Sequence, residues 1–357
     1  MTEQTDLDRI NAVFRVYEVR TNGSVIKYYG EPKVDSKTLF THLWNDFAQR
    51  GYDIELRREH GEYVLMATPM RDSGEKKHIN VILAIATVFA IMLTGAVLFY
   101  SVNPFAQPLL IYRGLPFAAA VMFVLGSHEL AHYLVAKRRG MKASLPFFIP
   151  LPFISPVGTL GALIQLKGAI PDRKSLFDVG VAGPLVGLTA AVVVTIVGLL
   201  LPPITPGSAL MPTVGLGVPI LFALIEKVVP AASTSLYPIA FAGWVGMLIT
   251  SLNLLPVGQL DGGHIARALS GEKTAYISAA VPLILMTGGI YYSLNGLNGE
   301  MLLFWGFFAL LFAAGGHPQP INDMKRLDAK RVVLGIIAFG LCIAVSPQSR
   351  FKRDYTL

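Results

Sequence analysis

The stretch Leu115–Ala136, LPFAAAVMFVLGSHELAHYLVA, is an apolar run of membrane-crossing length with His128, Glu129 and His132 inside it. About 20 apolar residues suffice for a helix to cross a bilayer. Residues four apart lie on one helix face, so His128 and His132 can offer two imidazoles to one metal ion, with Glu129 beside them. H-E-x-x-H on a helix is the arrangement of zinc hydrolases, in which the Glu is the general base. The same pattern also arises as a solvated helix face. Here the flanks Phe123–Gly126 and Tyr133–Val135 are apolar, and ionisable groups inside a membrane are costly to keep without a role. The placement points to hydrolysis of a peptide bond within the bilayer.

Composition supports the membrane reading. The 357 residues are 53% hydrophobic and only 15% charged, against about 25% charged for a soluble domain, and the mean hydropathy is +0.54. The single cysteine, Cys342, excludes an intramolecular disulfide and a Cys-rich metal site. The net charge is +7. Lys and Arg fall in short loops beside apolar runs, which the positive-inside rule explains better than nucleic-acid binding. The polar start, MTEQTDLDRINAVF, lacks the basic beginning and apolar core of a cleaved signal peptide.

Residues 1–75 are expected to form an extramembrane α/β domain and 76–357 the membrane domain. Strands are expected at Ala12–Val19 and Ser24–Tyr29, around the turn Thr21-Asn22-Gly23. Leu39, Phe40, Leu43, Trp44 and Phe47 have helical spacing over Ser36–Arg50, with Ser36 as N-cap and Gly51 as stop. Two more strands, around Tyr52–Leu56 and Tyr63–Thr68, complete a ββαββ order. This domain carries no catalytic constellation and reads as a folded appendage or a substrate-gating module.

Apolar spans are expected at 79–101, 115–136, 176–201, 235–256, 275–293, 300–316 and 331–346, the last two short. The fold class is therefore a polytopic α-helical membrane protein with about six to seven spans. Val214–Val229 carries Glu226 and Lys227 between Pro212 and Pro230, and reads as re-entrant or interfacial. Arg71, Lys76, Lys77, Lys137, Arg138, Arg139, Lys142, Arg173, Lys174, Arg267, Lys273, Lys325, Arg326, Lys330 and Arg331 all fall on one side of seven alternating spans. That side is expected to be cytoplasmic, together with the N-terminal domain, in a multi-pass protein of the cell membrane. Arg350, Lys352 and Arg353 fall on the other side, so either the tail departs from the rule or the last apolar run does not cross.

A catalytic zinc site normally has three protein ligands and an open position. Asp261, in Asn253-Leu-Leu-Pro-Val-Gly-Gln-Leu-Asp261-Gly-Gly-His264, follows the fourth span at the depth expected for His128 and His132. Asp261 could alternatively cap a short helix, and His264 is an alternative ligand. Asn253 is either a functional hydrogen bonder or a helix-packing one. With H-E-x-x-H in one span and N-x-x-P-x-x-x-L-D-G at the end of a later one, the chain resembles the site-2 protease family of intramembrane zinc metalloproteases. The span between them contains Ala182-Gly183-Pro184, also similar to the family, and the core of the resemblance runs from about 115 to 270. The N-terminal domain and His317-Pro318-Gln319-Pro320 resemble the archaeal branch and its plant chloroplast relatives; nothing resembles an inserted PDZ domain. The resemblance implies one zinc ion held by His128, His132 and Asp261. It implies Glu129 as the proton-transferring catalytic residue and Asn253 as a positioner of substrate or water. The implied substrates are membrane-anchored proteins.

Pro146, Pro150, Pro152 and Pro156 forbid a regular helix over 143–168, and Gly161–Lys167 reads as a short strand. A membrane-dipping hairpin is expected here. It either offers an open edge to an extended substrate or only seals the site. Gly183-Pro184 and Gly288-Gly289 either bend their spans or allow close helix packing. Two other classes compete with the protease: a metal or ion transporter, which would spread His, Glu and Asp over several spans, and an inactive scaffold, which has no need of Glu129.

Overall fold

The computed structural model describes residues 3–59, 61–69, 77–155, 157–167, 170–202, 214–229, 237–297, 299–316, 320–322 and 327–355. His317, Arg71, Lys76, Lys325 and Arg326, among the sequence-based expectations, lie outside them. The chain runs α1 (Glu3–Val13), β1 (Phe14–Asn22), β2 (Val25–Pro32), α2 (Ser36–Gln49), β3 (Tyr52–Glu59), β4 (Glu62–Pro69) and α3 (Lys77–Tyr100). A 3-10 turn (Pro108–Gly114) leads into α4 (Leu115–Arg138). Five short strands follow, β5 (Lys142–Ala143), β6 (Phe147–Pro150), β7 (Thr159–Leu163), β8 (Leu166–Lys167) and β9 (Ile170–Asp172). Next come α5 (Arg173–Leu200), β10 (Val214–Pro219), α6 (Ile220–Val228), α7 (Pro238–Asn253), α8 (Asp261–Ser270) and α9 (Thr274–Leu294). The chain closes with α10 (Glu300–Ala313), β11 (Pro320–Asn322), α11 (Ala329–Val345) and β12 (Pro347–Tyr355).

Two compact units emerge. The first comprises Met1–Glu75 with two short segments, Lys167–Lys174 and Gln319–Arg326. Its sheet has the order β1-β2-β4-β3, all antiparallel. Leu39, Leu43 and Phe47, four residues apart on α2, are buried with Phe14, Tyr28, Ile54, Leu65 and Ala67. β9 and β11 pair in parallel, Ile170 opposite Pro320 and Asp172 opposite Asn322. Sequence spacing misses α1, whose Ile10 and Val13 are buried in this core. The strand expected from Ala12 begins at Phe14, because Ala12 and Val13 finish α1. The N-cap of α2 is Asp35, not Ser36. Asp35 is extended, and its carboxylate accepts from the Thr38 N–H at 3.3 Å and the Thr38 hydroxyl at 2.6 Å, which leaves Ser36 as the first helical residue.

The second unit holds the helices. Among the described residues, four stretches are long and apolar enough to cross a membrane: His78–Tyr100, Pro108–Arg138, Arg173–Leu200 and Asp261–Leu294. The helices α7 and α10 are apolar but only 16 and 14 residues long. α3, α4, α5 and α7 share one core that includes Ile91, Phe117, Val124, Leu188, Ala191 and Met247. The α5–α7 contact is close because a Cβ on Gly246 would come within 2.8 Å of both the Ala191 Cβ and the Val124 side chain. The segment Val214–Val229 folds as β10 and α6; Phe222 is fully buried, and Trp244 Nε1 donates to the Gly217 carbonyl at 3.0 Å. β12 pairs antiparallel with β10, so the tail lies with the connection between α5 and α7.

The proline-rich stretch is a hairpin. β6 and β7 pair antiparallel, Phe147 opposite Leu163 and Ile149 opposite Gly161. Gly158 sits at φ 83°, a conformation that suits glycine, and a Cβ there would meet Ala90 and Ile91 of α3. The strand expected over Gly161–Lys167 starts two residues earlier and breaks after Leu163. It breaks because Gln165 turns its N–H to the Ser144 hydroxyl at 2.9 Å.

Candidate metal centre

His128, Glu129 and His132 lie on α4 and are each buried, 4%, 7% and 5% exposed. Helical geometry puts both rings on one face, with the two Nε2 atoms 3.0 Å apart. Asp261 is the first residue of α8. Leu260 is the N-cap and no side chain caps the helix, so the Asp261 carboxylate is not used as a cap. It reaches instead to the histidines: Oδ2 is 3.2 Å from His128 Nε2 and Oδ1 is 3.2 Å from His132 Nε2. His128, His132 and Asp261 form the only group of at least three potential ligands with converging donor atoms among the described residues.

The triangle fits a tetrahedral ion. Zinc–nitrogen and zinc–oxygen bonds of about 2.0–2.1 Å put neighbouring donors roughly 3.3 Å apart; the two Nε2 atoms are 3.0 Å apart, each is 3.2 Å from a different oxygen of Asp261, and one donor atom from each residue lies within 4.8 Å of the others. Two imidazoles and a carboxylate are a normal zinc donor set. His264 lies one turn into α8, outside the triangle, with its Cβ where a Cβ on Gly180 would come within 2.8 Å.

The neighbours of the triangle set its geometry. The Val179 carbonyl accepts from His132 Nδ1 at 2.8 Å, which leaves the Nε2 lone pair facing Asp261 and His128. Asn253 ends α7 and brings its Nδ2 to 3.4 Å from His128 Nε2. The backbone N–H of Ile164, just past β7, lies near the Glu129 carboxylate. Both rings fit because α5 has no side chain in their way. A Cβ on Gly183 would overlap His132 Nε2, and one on Gly187 would come within 2.8 Å of His128 Nδ1. Of the two roles open to Gly183, close packing is present, and α5 continues as a helix through Pro184. Sequence reasoning missed Val179, Ile164 and Gly187. Gly180, Gly183 and Gly187 do recur on one helix face, a pattern that was there to be read.

Comparison with known proteins adds a family. Residues 116–291 match the family model described as peptidase family M50. The probable zinc metalloprotease EGY2, chloroplastic, of Arabidopsis thaliana is 31% identical over 242 residues, covering 66% of this chain and 42% of that protein. The probable zinc metalloprotease EGY1, chloroplastic, of the same plant is 32% identical over 238 residues, covering 64% and 42%. Its counterpart from Oryza sativa subsp. japonica is 30% identical over 243 residues, covering 65% and 40%. The chain spans about two fifths of the length of these relatives. No solved structure matches it.

Proposed function

We propose, from the match of residues 116–291 to the model of peptidase family M50, that the chain belongs to that family and is a zinc-dependent intramembrane endopeptidase. Its substrates in this reading are membrane-anchored proteins cut within or near their membrane segment. The observation that carries the proposal is the triangle of buried His128 and His132 with partly buried Asp261, and Glu129 beside it. A transporter would be expected to spread such groups along a path, whereas these meet at one point.

His128, His132 and Asp261 would hold the zinc. When bound, zinc polarises the scissile carbonyl and brings the pKa of water down to about 7. Glu129 takes the proton from the attacking water and delivers it to the leaving amine; the Ile164 N–H lies near its carboxylate and can help orient it. The Val179 carbonyl keeps His132 in one tautomer and orientation. Asn253 presents an amide beside His128, where it can hydrogen-bond substrate or water. A helical substrate must first unwind, and its freed backbone groups need partners in a dry setting. β7 supplies an edge beside Glu129, so the extended substrate adds to it as a strand.

In this reading seven helices cross, the cytoplasmic side carries the ends of α4 and α5 near the site, and the N-terminal unit is cytoplasmic. The pairing of β12 with β10 supports a crossing α11, because it takes the basic tail to the opposite end of α5. The test uses the purified chain in liposomes with labelled single-span substrates. Cleavage should vanish in Glu129→Gln and with a zinc chelator, and return with added zinc. Protein that retains stoichiometric zinc and cuts no substrate would favour the scaffold, and protein that binds no zinc would reopen the transport reading.

A further inference from the structure

An open groove of about 490 Å³ runs between α4 and α5 near their site-proximal ends, walled by Val135, Arg138, Arg139, Asp178, Val181 and Ala182. None of these residues belongs to the donor triangle. Asp178 is neutralised within the protein. Its carboxylate accepts from Arg331 Nε at 2.7 Å and Nη2 at 2.8 Å, and it also pairs with Arg139. Arg331 pairs in turn with Asp328. Three guanidinium groups against two carboxylates leave one net positive charge, and it resides on Arg138, which is exposed and has no ion pair among the described residues. A guanidinium carries five N–H donors, so Arg139 also keeps donors to spare while it holds Asp178.

The apolar wall of the groove continues along the membrane. Val186, Val193 and Val197 extend the face of Ala182 on α5 and are 44%, 48% and 46% exposed. From residue 182 to 197 this face covers about 22 Å of helix. On the α4 side Leu134 is 44% exposed. A cationic mouth joined to a long apolar strip matches a molecule with an anionic head and a hydrocarbon tail. Basic pockets between membrane helices hold such headgroups.

We propose that this groove binds an anionic phospholipid. Its phosphodiester sits on Arg138 and the spare donors of Arg139, and one acyl chain lies along Ala182, Val186, Val193 and Val197. The bound lipid would tie the end of α4 to α5 one residue from Val179, whose carbonyl orients His132. Free inorganic phosphate shares the headgroup chemistry but has nothing to place on the valine face, so the lipid is the occupant.

Native mass spectrometry of the detergent-purified chain tests this, with phosphatidylglycerol and phosphatidylcholine titrated separately. One arginine near a headgroup is worth about 1 kcal/mol, so phosphatidylglycerol should bind roughly 5-fold more tightly than phosphatidylcholine. Arg138→Ala removes an exposed side chain outside the ion pairs and should bring the two lipids to within about 2-fold of each other. Lys273→Ala, an exposed cation elsewhere on the unit, should leave the preference intact. Ala182→Trp, which fills the groove, should weaken both lipids. Millimolar inorganic phosphate should not displace the lipid. Equal binding of the two lipids by the unaltered chain, an equal loss in Lys273→Ala, or displacement by inorganic phosphate would each overturn the proposal.

Discussion

Two of the helix pairs that pack through glycine in the membrane unit, α4–α5 and α9–α10, do different things with the space. Between α4 and α5 the volume left by Gly183 and Gly187 is filled by the rings of His132 and His128. Between α9 and α10 the volume left by Gly289 and Gly306 is filled by Leu303 and Met286. The apolar window of α5 is 56% buried, while that of the α8–α9 stretch is 17% buried. Leu283, Ile284, Tyr291, Phe304 and Phe307 leave the outer faces of the α9–α10 hairpin open. In lipid no hydrophobic force drives helices together, so small residues and van der Waals packing hold a pair such as α9–α10. The α4–α5 pair uses the same close approach to admit polar rings and give them orienting partners. The difference teaches that a glycine-mediated helix contact marks a site only when the group it admits is a polar one.

The largest expected effect breaks chemistry without touching packing on either side. Glu129→Gln keeps the shape of the side chain and removes the proposed base. Proton transfer by a positioned group contributes about 10²–10⁴-fold, so turnover should fall by at least roughly 10²-fold while zinc measured by atomic emission stays near one per chain. Loss of the metal in this variant would mean that Glu129 holds the triangle together, contrary to its assigned role.

Gly183→Ala comes next and attacks the distinction directly. The added Cβ overlaps a ring that the Val179 carbonyl holds in place, so the imidazole cannot simply swing away. Loss of an outer partner of a metal ligand typically costs about 10–100-fold in affinity, and displacing the ligand itself should cost at least as much. Zinc titration should show that weakening, with the far-ultraviolet circular dichroism unchanged. Wild-type affinity in Gly183→Ala would show that the ring–glycine contact does not govern the site.

A smaller effect is expected from the hairpin. Leu163→Pro removes a backbone N–H from β7 and should lower cleavage about 10-fold with zinc content unchanged, if strand addition positions the substrate. Gln165 is the poorer place for this test, because its N–H is already committed to Ser144. Unaltered cleavage in Leu163→Pro would reduce the hairpin to a seal.

Why some of this was readable in the sequence and some was not follows from the same contrast. His128, Glu129 and His132 stand out because a period of four is visible in a string of letters and because ionisable residues are rare in an apolar run. Asp261 becomes a candidate only after the spans are counted and its depth is compared with theirs. The acceptor for His132 is a backbone carbonyl, and Val179 carries no letter that signals it. Gly187 can be seen four residues from Gly183, yet whether a ring or a leucine fills the space depends on which helix packs there. The short length of α7 and the existence of α1 were obscured for opposite reasons. The apolar run around α7 extends past the helix on both sides, whereas α1 shows only Leu7, Ile10 and Val13 among polar neighbours.

The α9–α10 pair supplies the smallest effects and the sharpest control. A Cβ on Gly289 would come within 2.8–2.9 Å of Leu303, partly its backbone nitrogen, so Gly289→Ala must push the two helices apart. Overpacking of this kind costs about 1–3 kcal/mol, which should appear as a fall of several degrees in the thermal midpoint. Zinc affinity should be unchanged, because no donor of the triangle lies on either helix. Gly288→Ala, one residue earlier, would meet only Leu302 at 3.8 Å, an ordinary contact, and should leave stability and zinc affinity within error of the unaltered chain. If the argument from glycine partners is right, Gly183→Ala loses zinc, Gly289→Ala loses stability alone, and Gly288→Ala loses neither. A zinc defect in Gly289→Ala would mean that the outer hairpin is mechanically coupled to α8 and Asp261, and that the two glycine contacts are not independent.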